Sequence, residues 1–189
     1  MKFSFASSSH HPGYENSNLE IYVNNVLLTE LIVPDDITTI NSSAFYNYKY
    51  LQKIHVGDSV TSIGQKAFYA NTSLEEIYLG NNIVLGNNPF QLCTGLKKIN
   101  IKSLENWCKT TGFTYSDYPT KYTNNLWIND VPITEVNLDI SCNTINDYTL
   151  ANCAGITKVT INNNIKNVGA GAFSGDSNIS EVYCDSLQT

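Results

Sequence analysis

Apolar side chains recur along this chain at a fixed spacing. Leu51, Ile54, Val56, Val60, Ile63, Ala67 and Phe68 are followed 23 residues later by Leu74, Ile77, Leu79 and Ile83, and Phe90 comes 22 residues after Phe68. One period earlier Leu28, Leu31, Val33, Ile37, Ile40, Ala44 and Phe45 stand in the same order. Adding 105 to these numbers recovers a second array: Ile133, Val136, Leu138, Cys142, Ile145 and Leu150, then Ile156, Val159, Ile161, Ile165, Val168, Ala172 and Phe173. Ile179, Val182 and Cys184 open a further unit. Repetition on this scale is the mark of stacked units, so the chain reads as two short solenoid arrays.

Within a unit, Ile54 and Val56 flank His55 with the two-residue period of a strand, which sends the first two inward and His55 outward. Val60 and Ile63 predict a second short extended piece, and Gly57-Asp58 and Gly64 predict the turns between them. Residues 65–69 predict a helical turn that drops Phe68 into the interior. Six or so inward side chains do not offset the entropy of ordering a whole unit, so neighbouring units must supply the remaining contacts.

The motif Leu51-x-x-Ile54-x-Val56, the extended Ser59 to Gly64 and the pair Ala67-Phe68 resemble the BspA-like class of leucine-rich repeats of bacterial and protozoan surface proteins. Cys93, three after Phe90, and Cys153, three after Leu150, fit that pattern, whereas Asn71 and Asp176 depart from it. The resemblance covers nearly all of residues 19–102 and 126–189. It implies an α/β fold leaning to β, a leucine-rich repeat solenoid with a parallel sheet on the concave face and short extended or helical turns on the other side. It also implies extracellular display and binding to a protein or extracellular matrix partner, and brings no catalytic motif.

Leu126-Trp127-Ile128-Asn129-Asp130-Val131-Pro132-Ile133 matches Ile21-Tyr22-Val23-Asn24-Asn25-Val26-Leu27-Leu28, so a β-hairpin opens each array. The expected organisation is the end of a preceding connector at 1–18, a first array at 19–102, an aromatic connector at 103–125 and a second array at 126–189. Trp107, Phe113, Tyr115, Tyr118 and Tyr122 give the connector too much apolar area for a flexible tether. The ends of the chain fall inside connectors, which is expected of a piece of a longer array. No secretory signal is read in the first residues, and no apolar run approaches the roughly 18 residues that span a bilayer.

Composition narrows the chemistry. The basic residues are 11 lysines without an arginine, against 17 acidic residues, for a net charge of -6. Nucleic-acid and anionic-membrane binding are disfavoured, and there is no bidentate phosphate clamp. Cys93, Cys142, Cys153 and Cys184 are expected as buried small hydrophobes, since Cys142 and Cys184 replace inward Ile37 and Leu79. Cys108 is the least constrained, with pairing to Cys93 as the alternative to a free thiol. His10-His11 lie in a Ser- and Pro-flanked stretch and are expected to be solvated, spacing places no acid or nucleophile partner for His55, and the adjacent carboxylates Asp35-Asp36 and Glu75-Glu76 point to opposite faces of an extended chain. No phosphate loop, nucleophile elbow or metal-ligand spacing occurs, so no cofactor, no metal and no enzymatic activity are expected.

What remains is the outward face of the sheet. Its central positions are Ile32, His55, Tyr78 and Asn100, then Asn137, Thr160 and Tyr183. Two residues earlier stand Glu30, Lys53, Glu76 and Lys98, then Glu135, Lys158 and Glu181, alternating in sign. This predicts a charge ladder that fixes strand order, together with a partner-binding surface made of Ile32, His55, Tyr78, Asn100, Glu76, Lys53 and Tyr183. The functional expectation is a non-catalytic adhesion or binding module at the cell surface or in a secreted protein. The alternative is a structural spacer that displays other parts of a longer surface protein.

Overall fold

A computed structural model describes residues 18–81, 83–138 and 141–184. The inward strand positions build a parallel sheet from β3 (Glu30–Ile32), β5 (Lys53–His55), β7 (Glu76–Tyr78) and β9 (Lys98–Ile101). A second parallel sheet holds β12 (Glu135–Asn137), β14 (Lys158–Ile161) and β16 (Glu181–Cys184). Across the core, the extended pieces form a three-stranded ladder of β4 (Thr39–Ile40), β6 (Ser62–Ile63) and β8 (Val84–Leu85), and a pair, β13 (Thr144–Ile145) with β15 (Asn167–Val168). The result is a mainly β solenoid of about seven turns.

The strand parity read from the sequence is the one that forms. Ile54, Ile77 and Ile99 are fully buried and lie in register, while Lys53 and His55 flank Ile54 at the surface. Phe45, Phe68 and Phe90 make a stacked column through the core, with ring centroids 5.5 and 5.6 Å apart and planes within 4°. Coils sit so close that a Cβ on Gly86 would lie 2.5 Å from the Gln65 backbone nitrogen, inside contact distance. At that same point Gly86 N donates to Ile63 O over 2.7 Å.

Residues 65–69 are not helical. They form tight turns, with Lys66 and the following Ala70 at φ of 54° and 58°, and their amides alternate: Ala67 and Tyr69 bond locally to Gly64 O and Lys66 O, whereas Lys66, Phe68 and Ala70 bond to the next coil. Phe68 N donates to Pro89 O at 2.9 Å and Ala70 N to Gln91 O at 2.8 Å. The next coil competes successfully for alternate donors that a helical turn would have used internally.

Residues 103–125 form one wide coil between β9 and the strand that begins at Trp127. Ser103 caps the short helix α1 (Leu104–Cys108) by accepting from Asn106 N at 3.2 Å. Trp107 is buried, tilts against Phe113 at 5.2 Å and donates from Nε1 to Thr149 O at 2.6 Å. Helix α2 (Thr120–Thr123) is tied forward by Thr120 Oγ1 to Ala151 O at 2.6 Å and backward by Leu92 N to Tyr122 Oη at 3.1 Å.

The hairpins are β1 (Tyr22–Val23) with β2 (Val26–Leu27) and β10 (Trp127–Ile128) with β11 (Val131–Pro132). Beyond opening the second array, β10 also pairs in parallel with β9, so the first sheet has six strands in the order β11-β10-β9-β7-β5-β3. All five cysteines are free, so Cys108 is not paired with Cys93. Cys93, Cys108, Cys142 and Cys153 are buried, and burial pushes the Cys93 thiol up to about 12. Cys184 is exposed, contrary to its inward slot, because among the described residues β16 pairs only with β14.

The two departures from the cysteine pattern retain a link to the preceding coil. Asn71 is fully buried and donates to Phe45 O and Phe68 O, both at 2.7 Å, where Cys93 Sγ donates to Phe68 O at 3.1 Å. Asp176 instead accepts from Cys153 N at 2.6 Å. Asp117, in the connector, is buried, and Oδ2 of both aspartates lacks a hydrogen-bond partner. Burial raises each carboxyl to about 6, with Lys121 partly offsetting this at Asp117 and the Cys153 amide at Asp176.

Phe68→Ala is expected to cost about 3–5 kcal/mol in denaturant unfolding, as does removal of other buried aromatics, and His55→Ala, which gives up a surface stacking contact, only about 0.5–1.5 kcal/mol. Because the folded state holds the Asp117 and Asp176 protons more tightly than the unfolded chain, their contribution is full below about pH 4 and is lost as pH rises to about 6. Asp117→Asn should flatten the stability profile across that window and stabilise the protein at pH 7 by about 1–3 kcal/mol, read from urea midpoints. A profile unchanged by the substitution would remove Asp117 as its source.

Candidate functional site

The outer face of the first sheet carries two parallel columns. Register places Ile32, His55, Tyr78, Asn100 and Trp127 side by side, and Glu30, Lys53, Glu76 and Lys98 beside them. The predicted alternation of sign is therefore spatial, each lysine being next to a glutamate along the sheet. Contacts within it are more selective than simple neighbour pairing. Lys53 Nζ meets Glu76 at 3.1 Å, but Glu30 turns to His55 Nε2 at 2.9 Å, and Lys98 leaves the column to pair with Asp130.

Tyr78 sits at the centre of this network. Its ring stacks on His55 with centroids 4.5 Å apart and planes within 8°. Lys53 and Lys98 place their ammonium groups 5.9 and 5.3 Å from the ring centroid, and the hydroxyl donates to Glu76 Oε2 at 2.9 Å. Burial opposes ionisation of Glu76, yet hydrogen bonds from Lys53 and Tyr78 outweigh it and hold the carboxyl below its usual range. Burial and the Glu76 hydrogen bond raise Tyr78, and hydrogen bonding to Lys98 lowers Asp130 while raising Lys98.

Asp130 belongs to the turn of the second hairpin, where Asn129 and Asp130 take φ of 51° and 64°. That left-handed pair folds the turn back over the sheet, and Asp130 Oδ1 accepts from Asn100 Nδ2 at 2.9 Å and lies 3.4 Å from Tyr78 Oη, whose proton goes to Glu76. Asn100 is consequently only 8% exposed, so it supports the face from beneath instead of presenting itself. Ile32, by contrast, is 69% exposed. Between them a groove of about 340 Å3 runs past Ile32, Asp35, His55, Tyr78, Lys102 and Asn129.

Tyr183 is apart from this cluster. It lies on the second sheet beside Thr160, half exposed, with its hydroxyl donating to Glu181 at 2.9 Å and Lys158 Nζ 5.2 Å from its ring. Among the described residues no ion pair joins Glu135, Lys158 and Glu181, although register aligns them. The structure thus gathers Ile32, Lys53, His55, Glu76, Tyr78 and Asn100, and leaves Tyr183 elsewhere. Sequence reasoning missed Asp130 and Trp127, whose signal was the Asn-Asp turn, seen as a hairpin but not placed against β9.

Among the described residues no group of three or more His, Cys, Asp or Glu is placed to hold a metal ion. No helix among them is long and apolar enough to cross a membrane. If Asp130 pins the hairpin to the sheet, Asp130→Ala should lower the melting midpoint more than Asp58→Ala, which removes the exposed partner of Lys102. Equal midpoints for the two variants would reduce Asp130 to an ordinary surface carboxylate.

The family described as a BspA type leucine rich repeat region matches in 6 copies, over residues 18–117 and 106–189. No curated protein matches. Among solved structures, the chain is similar to a leucine rich cell surface protein from Faecalibacterium prausnitzii A2-165, at 20% identity and a TM-score of 0.47 over 84% of this chain and 48% of that one. It is also similar to a leucine-rich repeat protein from Eubacterium ventriosum, at 24% identity and a TM-score of 0.41 over 86% and 34%. A T. pallidum leucine rich repeat protein gives 20% identity and a TM-score of 0.45 over 82% and 69%. The chain thus spans about half and about a third of the first two. Solenoids of this class are typically binding scaffolds without catalytic activity. With six copies of its repeat matched over residues 18–117 and 106–189, the chain belongs to the BspA-type leucine-rich repeat family.

Proposed function

We propose that the chain is a non-catalytic binding module of a cell-surface or secreted protein, engaging a protein or extracellular matrix partner through the outer face of its first sheet. The observation that carries this reading is the Tyr78 cluster beside the groove. A rigid His55–Tyr78 stack, exposed Ile32 and a cavity of about 340 Å3 combine amphipathic contact area with a fixed shape. Glu76 and Lys53 frame the stack and Asn100 supports it, while Tyr183 offers a separate contact on the second sheet. The columns nearly cancel in charge, so affinity should change little with salt.

A spacer role is the second reading. Its support is that the charged groups around Tyr78 already satisfy one another, which a ligand would have to disturb.

The two readings separate in a surface-binding assay of the full chain against a panel of purified extracellular matrix proteins. Tyr78→Ala and Ile32→Ala should each weaken capture about tenfold, and Lys53→Ala distinctly less, because central aromatic and apolar contacts carry more energy than charges at the rim. Tight binding that survives all three changes would move the site off this sheet. Absence of binding to every matrix protein would favour the spacer.

A further inference from the structure

The groove beside the His55–Tyr78 stack owes its depth to two glycines. One residue after the buried Val33, Val56, Leu79 and Ile101 stand Pro34, Gly57, Gly80 and Lys102. A Cβ on Gly80 would lie 2.5 Å from Gly57 O, so the two coils approach too closely there for a side chain. The row that follows the stack is backbone alone at its two middle positions, and Ile32, His55 and Tyr78 line the space left above Gly57. At about 340 Å3 that space is of the size of a small ligand site, for which about 300–1,000 Å3 is usual.

Charge around the groove is uneven. Lys102 lines it, but its Nζ is held by Asp58 Oδ2 at 2.6 Å. Nearby, Lys53 is matched by Glu76, Lys98 by Asp130, and His55 Nε2 by Glu30. Asp35 has no such match. It is exposed, lines the groove, and among the described residues enters no ion pair. Its Oδ1 lies 3.4 Å from where a Cβ on Gly57 would stand, which sets the carboxylate against the glycine floor. The unmatched charge of the groove is thus negative, and it adjoins an apolar path along Ile32, Val33 and Val56.

A cation carried on an aliphatic stem complements both parts, since lysine and arginine lay their methylenes along apolar surface and keep the charged head at a polar one. An anion would face Asp35 and find Lys102 already neutralised by Asp58. A metal ion would meet one free carboxylate where it needs several oxygen ligands.

We propose that this groove is a pocket for a lysine or arginine side chain presented by a protein partner, its head on Asp35 and its stem along Ile32 above Gly57. The proposal rests on the binding face described under the proposed function and specifies what that face selects, a segment with a basic residue. A single ion pair at the rim supplies selectivity more than affinity, in keeping with a weak dependence on salt.

The test is a titration of the 15N-labelled full chain with the peptide acetyl-Gly-Arg-Gly-amide, and with the same peptide carrying citrulline, which keeps the shape of arginine without its charge. The arginine peptide should shift the Gly57 and His55 amide resonances saturably with a Kd of about 1–10 mM, and the citrulline peptide should bind about three- to fivefold more weakly. Asp35→Asn should cause a similar loss for the arginine peptide, whereas Asp36→Asn, at the next exposed carboxylate and outside the groove, should cause none. Asp35 is exposed, so an unchanged thermal melt confirms that Asp35→Asn folds. No saturation up to about 20 mM, equal affinity for the two peptides, or binding indifferent to Asp35→Asn overturns the proposal. In the capture assay with matrix proteins, binding that Tyr78→Ala removes and Asp35→Asn leaves intact also overturns it, while the binding face stands. Absence of all capture fails the binding face instead, and the titration alone then decides the pocket.

Discussion

Backbone hydrogen bonding between successive coils is the constraint on which the rest of this structure depends. A coil of 22 or 23 residues has too little interior to hold itself, and its amides find their acceptors one coil away: Val33 N on His55 O, Val56 N on Tyr78 O, Leu79 N on Asn100 O. Once those bonds form, each side chain lies over its counterpart in the adjoining coil. The phenylalanine column, the isoleucine column and the column of alternating charge are all consequences of that one alignment. Where the coil length changes, in residues 103–125, the same rule still governs: Asn146 N donates to Cys108 O at 2.8 Å and Ala154 N to Asn124 O at 2.9 Å, so an irregular coil keeps the stack continuous.

This dependence accounts for what the sequence disclosed. Ile54, Phe68 and Phe90 repeat, so their inward direction could be read from spacing, and the position of Tyr78 on the outer face came with it. The helical turn expected at 65–69 failed because local spacing cannot register that Pro89 O and Gln91 O stand ready to accept from Phe68 and Ala70. Asp130 was hidden for a related reason. Its contact with Lys98 and Asn100 depends on a hairpin returning to a strand some thirty residues earlier, an event that occurs once and leaves no period. Cys184 shows the reverse case, an inward residue by pattern that is exposed because among the described residues no coil lies over it.

The candidate site and the interior use ionisable groups in opposite ways. Around Tyr78, carboxylates and ammonium groups at the surface hold one another charged, and the ring is fixed between them. Inside, Asp117 and Asp176 face too few donors for their oxygens, and burial favours their protonated forms. The outer network shapes a surface, whereas the inner carboxyls make the stack itself responsive to acidity.

The direction of the inter-coil bonds has a mechanical consequence. Because they run along the stack while the covalent chain circles it, tension applied between the ends loads each ladder as a zipper, a few bonds at a time, rather than in shear. A freed coil of 23 residues can extend to about 75–80 Å. In residues 103–125, side-chain ties from Trp107 and Thr120 to the following coil and from Tyr122 to the preceding one join the backbone ladder, as ties from Asn71 and Cys93 do in the regular coils, so the irregular connector is anchored on both sides.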